Sequence, residues 1–380
     1  MSIPDQSRRQ FQRRRFLTRA IAMGAAALLT GCVQKPSVPN DGGPLPMVTA
    51  RGLQLMADGR RFEMRGVNYT HPTGANLDLC GMLQFGADGN CLWDLGPIER
   101  DFDRLQALGV NTVRVFLNYY VFGGASETQP NYQIEPALTH LETFIAAANR
   151  RGIYVIPVLM AKYPQETFGP QYYERTLALH VHPVVKHFAG KPGILMWDLF
   201  NEPDIGSPVE IRCWDWDNAL EPRCFPMAEE RMRFLKVIHD QVKQLDPNRL
   251  TTISMAFAKS YFEPKEAFMR VADLADVMSF HYYDDEPANS GRYAQHWYYG
   301  KGFPADLQRA ITELRALNVN KPILVTEIGF PTGPQDTRTQ ANMRRDFRRA
   351  LQTVRDEQAA GMLLWPFQPT PDELVGDTFK

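Results

Sequence analysis

The 380-residue chain reads as an α/β protein, a closed (β/α)8 TIM barrel preceded by a β-hairpin. Two observations predict the barrel. Eight short apolar runs alternate with helical patterns, and no Gly-x-Gly-x-x-Gly follows the first run, as an open doubly wound sheet for dinucleotides would require. A hydrophobic content of 44% in a chain of this length is enough for one large core.

Residues 1–31 predict an export signal. Gln12-Arg13-Arg14-Arg15-Phe16-Leu17-Thr18 is a basic segment before the apolar stretch Ala20 to Leu29, which is too short to span a bilayer. Paired arginines followed by a variable residue, Phe and Leu resemble the twin-arginine type, with an ordinary secretory signal as the alternative. Leu29-Thr30-Gly31-Cys32 resembles a lipobox, so Cys32 is expected to be lipidated and to become the mature N-terminus. Residues 32–50 would then be the lipidated end and a flexible tether, since Val33 to Pro46 is rich in Pro, Gly and Asn. The expected location is the periplasmic or outer side of a bacterial membrane.

Residues 51–380 hold the barrel. Leu53 to Met64 predicts the hairpin, turning at Asp58-Gly59. The eight strand-like runs are Met64 to Tyr69, Asn111 to Asn118, Ile153 to Met160, Ile194 to Phe200, Leu250 to Phe257, Asp276 to Tyr282, Pro322 to Ile328 and Met362 to Phe367. Near-continuous apolar runs of this length suit parallel strands buried on both faces. Between them, Ile98, Phe102, Leu105 and Leu108 recur at helical spacing before Gly109, as do Leu138, Leu141, Ile145 and Ala148 before Gly152. Each apolar stripe therefore ends at a C-cap glycine. Only Gln368 to Lys380 follow the eighth run, fewer than a full closing helix needs.

Apart from Cys32, the cysteines fall at 80, 91, 213 and 224, two local pairs of equal spacing. In an exported chain this favours Cys80–Cys91 and Cys213–Cys224 among three possible connectivities, each bond worth about 2–3 kcal/mol. Zinc is the alternative, but no Cys-x-x-Cys supports it. The formal charge of −1 hides an uneven distribution: residues 1–31 carry six arginines and one acid, leaving 36 basic and 42 acidic residues beyond them. No basic stripe interleaved with aromatics points to nucleic acid.

Two glutamates carry the chemistry. Glu202 in Trp197-Asp-Leu-Phe-Asn-Glu-Pro203 and Glu327 in Pro322-Ile-Leu-Val-Thr-Glu-Ile-Gly329 each end an apolar run, which places both at C-terminal strand tips, where barrels of this kind keep their catalytic groups. Glycoside hydrolysis needs two such carboxyl groups flanking one bond. On strands four and seven they face each other across the barrel mouth.

At these residues the chain resembles the clan of retaining glycoside hydrolases built on this barrel, most nearly the cellulase-like family 5. Asn201-Glu202-Pro203 matches the clan's acid/base motif and Glu327 its nucleophile. Arg114 matches an arginine beside the nucleophile, and His281 and Tyr283 match a His-x-Tyr whose tyrosine donates to the nucleophile. Trp365 matches the tryptophan floor of the cleaved subsite, and Asn201 is implied to bind a sugar 2-hydroxyl. The resemblance departs at Ile156 to Tyr163, which lacks the histidine that family 5 members commonly carry at the end of strand three.

The resemblance implies double-displacement hydrolysis of a β-linked glucan, mannan or related carbohydrate, with no metal or organic cofactor. A catalytically silent carbohydrate-binding lipoprotein and a transglycosylase are the alternatives. Trp214-Asp-Trp216 and His296 to Tyr299 are candidate stacking platforms for sugar rings. Asp198 and Asp204 read as supporting or loop residues. Oligomeric state is not legible.

Overall fold

The structure, a computed structural model, describes residues 43–70, 80–86, 91–164, 167–204, 225–261, 269–284, 301–330, 338–365 and 372–380. The export signal, Cys32, Cys213, Cys224, Trp214, Trp216 and the 296–299 cluster lie outside the described residues.

All eight predicted barrel strands are present: β4 (Met64–Asn68), β5 (Thr112–Asn118), β6 (Tyr154–Ala161), β7 (Met196–Asn201), β8 (Leu250–Met255), β9 (Val277–Tyr283), β10 (Ile323–Gly329) and β11 (Gly361–Leu364). They pair in parallel in chain order, and β11 returns to β4 to close the barrel. Every residue of β5, β6, β8 and β10 is buried, which is why these strands are written mostly in apolar letters.

The predicted outer helices follow the same logic. Helix Leu95–Ala107 buries Ile98, Phe102 and Leu105 and is capped at its start by the Asp94 side chain on the Gly96 amide. Helix Glu135–Asn149 buries Leu138, Leu141, Ile145 and Ala148. Gly109 and Gly152, with φ of 84° and 71°, take the left-handed conformation that stops each helix.

The N-terminal hairpin is part of a three-stranded sheet. Between β2 (Gln54–Ala57) and β3 (Arg60–Phe62), Asp58 and Gly59 both have positive φ, as a tight Asp-Gly hairpin turn requires. A further strand, β1 (Val48–Arg51), pairs antiparallel with β2, so the sheet takes in the last three residues of the interval read as tether, and Leu45 and Pro46 before it already contact the barrel. Its one inward residue, Val48, joins Leu55, Leu45 and Phe62 in a cluster with Met64, Tyr154, Met196, Leu250 and Val277. Those five barrel residues stand at strand starts, so the small sheet plugs the base of the barrel, opposite the strand tips.

The chain's end departs from expectation. An eight-residue helix, Asp372–Phe379, closes the barrel and buries Leu374, Val375 and Phe379. It is pinned by Asp372, which accepts from Arg104 Nε at 2.9 Å. The Cys80–Cys91 disulfide is formed, with Cα atoms 5.3 Å apart, in the connection after β4. Among the described residues, no helix is long and apolar enough to cross a membrane.

Candidate active site

Arg114 organises the site from the middle of β5. Its side chain is fully buried and donates to four acceptors on three strands: Asp198 Oδ2 from Nε at 2.8 Å, Asn68 Oδ1 and Glu327 Oε1 from Nη1 at 2.8 and 2.7 Å, and Asn201 Oδ1 from Nη2 at 2.8 Å. A planar fork of donors suits such a junction, where an ammonium would not. Burial works against its charge, but Asp198 and Glu327 outweigh it and raise the guanidinium pKa further.

Glu327 lies within β10, opposite His281 of β9 in the register, at a point where that register shifts. Arg114 holds one carboxylate oxygen, and the Tyr283 hydroxyl donates to the other at 2.5 Å. Burial keeps the Tyr283 phenol well above its ordinary pKa, with the Glu327 charge adding to the effect, so it remains a donor. Gly329 makes room for it: a Cβ there would lie 2.6 Å from the Tyr283 ring.

Glu202 stands one residue beyond β7 and takes φ of 51°, a left-handed conformation uncommon for a side-chain-bearing residue. Its amide donates to the Ser254 carbonyl of β8 at 2.8 Å, which holds the turn. His281 Nδ1 lies 2.7 Å from Glu202 Oε1 and 3.5 Å from Glu327 Oε2. Burial pushes the Glu202 carboxyl up to about 7, opposed by the Arg114 charge and by Asn201. Burial also pushes His281 down to about 4, so its ring is neutral at neutral pH. Carboxylate oxygens of Glu202 and Glu327 lie within 4.8 Å of each other and of a His281 nitrogen. These three are the one group among the described residues whose spacing could take a metal ion. Both oxygens of Glu327 are already engaged by Arg114 and Tyr283.

Trp365, just past β11, forms a wall beside this network. It packs edge-on against Phe116, with ring centroids 5.7 Å apart, and the Arg114 guanidinium lies 4.8 Å from the centre of the same Phe116 ring. Val158, Ala161 and Met82 complete the apolar patch, Ala161 ending the strand that lacks the expected histidine. All seven residues singled out from the sequence, Arg114, Asn201, Glu202, His281, Tyr283, Glu327 and Trp365, thus converge on one end of the barrel.

Of the supporting residues, Asn68 was not singled out, and Asp198 was read only as a supporting or loop residue. Asn68 donates to the Thr326 and Leu364 carbonyls at 2.9 and 3.2 Å, turning its oxygen toward Arg114. Asp198 receives the Ser254 hydroxyl at 2.5 Å as well as Arg114. Each is one polar letter inside an apolar run, a signal only once the strand is known to be buried. Asp204 is a loop organiser, as read: it accepts from the Ala256 and Phe257 amides at 2.8 and 3.2 Å.

The cellulase family, glycosyl hydrolase family 5, matches the chain over residues 70–369. The chain belongs to this family. It is accordingly a glycosidase, and the family's members include chains such as this one without the strand-three histidine. No curated protein sequence matches it. Among solved structures, the β-1,4-D-mannanase of Cryptopygus antarcticus is 16% identical with a TM-score of 0.61, over 88% of this chain and 94% of that one. The β-1,4-mannanase of the sea hare Aplysia kurodai is 17% identical with a TM-score of 0.59, over 87% and 95%. An exo-β-1,4-mannosidase of Opitutaceae bacterium strain TAV5 is 20% identical with a TM-score of 0.57, over 87% of this chain and 55% of that one. At these identities the likeness is one of fold.

Proposed function

We propose that this glycosidase hydrolyses a β-1,4-linked mannan or glucan with retention of anomeric configuration, with Glu327 as nucleophile and Glu202 as acid/base. The observation that carries this reading is the pair of carboxyl groups with one oxygen of each within 4.8 Å of the other, one group with its pKa pushed up to about 7 by burial and the other clamped by an arginine and a tyrosine. Retaining enzymes hold the pair at about 5–5.5 Å, whereas inversion needs ~6.5 Å or more to admit a water.

In the first step Glu202 gives its proton to the glycosidic oxygen while a Glu327 oxygen bonds to the anomeric carbon. The carbon–oxygen bond to the leaving sugar breaks with its electron pair. In the second step Glu202, now a carboxylate, takes a proton from water, whose oxygen replaces Glu327 at the same carbon. Neutral His281 holds one Glu202 oxygen at 2.7 Å, and the other, with only a long 3.4 Å contact from Asn201 Nδ2 among the described residues, is the one to face the leaving group. Arg114 takes the oxygen of Asn201, so that amide presents its Nδ2 to the sugar 2-hydroxyl. Trp365 supplies the apolar floor.

The mannan-active structural neighbours support mannan as the first substrate to test. Defined β-1,4-manno- and gluco-oligosaccharides are the assay, with the anomer of the first product followed by NMR. Glu327→Ala is expected to abolish turnover, and full activity in that variant would overturn the assignment. An α-anomer as first product would replace retention by inversion. We further propose that Cys32 carries a lipid anchor, a reading supported by the Leu29-Thr30-Gly31-Cys32 motif after an apolar segment.

A further inference from the structure

We propose that the outward face of the β1–β3 sheet is a membrane-facing surface that binds anionic lipid headgroups and points the catalytic mouth away from the bilayer. The register sorts the sheet's side chains. Leu55 and Phe62 are partners and face the barrel, so Arg51 with its partner Gln54, and Met56 with its partners Thr49 and Arg61, face outward. Arg51 and Arg61 on this face are both exposed, and neither has an ion-pair partner among the described residues; Arg60, paired with Ala57 beside the turn, belongs to the opposite face. Neighbouring arginines differ: Arg355 pairs with Glu63 at 2.5 Å and Arg151 with Asp103 at 2.6 Å. Against these two outward cations the sheet sets one exposed acid, Asp58 at its turn.

An apolar element lies beside these charges. Met47, immediately before β1, is 40% exposed and is one of two large hydrophobic residues exposed among those described. Cations next to an exposed apolar side chain are the combination that suits a headgroup boundary. The position fits as well. Leu45 packs on the base cluster and Tyr154 donates to the Pro46 carbonyl at 2.8 Å, so the chain departs toward its N-terminus from the base. Cys32 lies eleven residues before Gly43 in sequence, a reach of at most ~40 Å when extended. This surface thus rests in part on the lipid-anchor reading: the acyl chain would hold the protein near the bilayer and the arginines would set which end faces it. The catalytic glutamates stand at the other end, roughly 20 Å away along strands of seven residues.

The test uses the full chain with Cys32→Ser, so that no acyl group forms, and compares it with the same chain carrying Arg51→Gln and Arg61→Gln. Partition onto vesicles of phosphatidylglycerol and phosphatidylcholine is measured by co-sedimentation at low and high salt. The leader is common to both chains, so the difference reports the sheet. About fivefold is expected per arginine, roughly 25-fold for the double variant. The difference should shrink with salt and disappear on pure phosphatidylcholine, with hydrolysis of a soluble β-glycan unchanged. Equal partition of the two chains would overturn the proposal. So would arginine-dependent binding to a soluble acidic polysaccharide with none to vesicles. Mass spectrometry of the N-terminus of the unaltered protein tests acylation separately, so losing the anchor and losing the surface give different results.

Discussion

Replacing Glu202 by Gln should stabilise the protein, and only where the pH is high enough for the glutamate to ionise. Glu202 has its pKa raised in the folded state from an ordinary 4.5 to about 7, so folding favours its neutral form. Such a group contributes its full stability below pH 4.5 and loses it as the pH rises through 7. At ~1.4 kcal/mol per pH unit, the loss on the alkaline side approaches about 3 kcal/mol. The side chain keeps 23% of its surface exposed, which makes this an upper figure. Glutamine has the shape of the protonated acid, can hydrogen-bond His281 in either direction and does not titrate. The gain over the native chain should be near zero at pH 4, grow between 4.5 and 7, and level off above. At an unfolding entropy of roughly 2.1 cal/mol/K per residue, the plateau corresponds to a melting temperature about 4 °C higher. Scanning calorimetry of both chains from pH 4 to 9 is the assay. A constant offset at every pH, or identical curves at pH 8, would refute the argument that burial of this carboxyl raises its pKa.

The same proton governs turnover. As Glu202 must be protonated to assist departure of the leaving sugar, kcat/KM should fall tenfold per pH unit above about 7, and a rate still rising at pH 9 would remove Glu202 from the acid role. Gly329→Ala would place a methyl group 2.6 Å from the Tyr283 ring and push the phenol off Glu327. The expected result is a loss of about 10²-fold in kcat with little change in KM, since the bond to the nucleophile matters most as charge develops. A silent substitution would show that Tyr283 reaches Glu327 without that space.

The eight strands were legible because a parallel strand buried on both faces has few places for a polar residue. β1 was not, because three of its four residues are exposed and no apolar alternation marks it. The closing helix was hidden by its brevity and by Gly376 in its middle. Glu202 and Glu327 were visible as charges at the ends of apolar runs. The Arg114 and Tyr283 contacts to Glu327 were implied by the resemblance, but the rest of the network was not legible, since it depends on register: Asn68 meets Arg114 because β4 and β5 pair at those two residues. Nor does Asn-Glu-Pro announce a left-handed glutamate. That conformation is imposed by a carbonyl from the neighbouring strand.

The bond from the Glu202 amide to the Ser254 carbonyl has an evolutionary consequence. The proton donor takes its position from β7 and β8, before the connection spanning residues 205–224 begins. A change of length or composition in that connection leaves this bond in place, because its acceptor belongs to a barrel strand. Substrate range and chemistry are thereby inherited separately: one is free to drift in the segments beyond the strand ends, while the other is locked into the barrel wall.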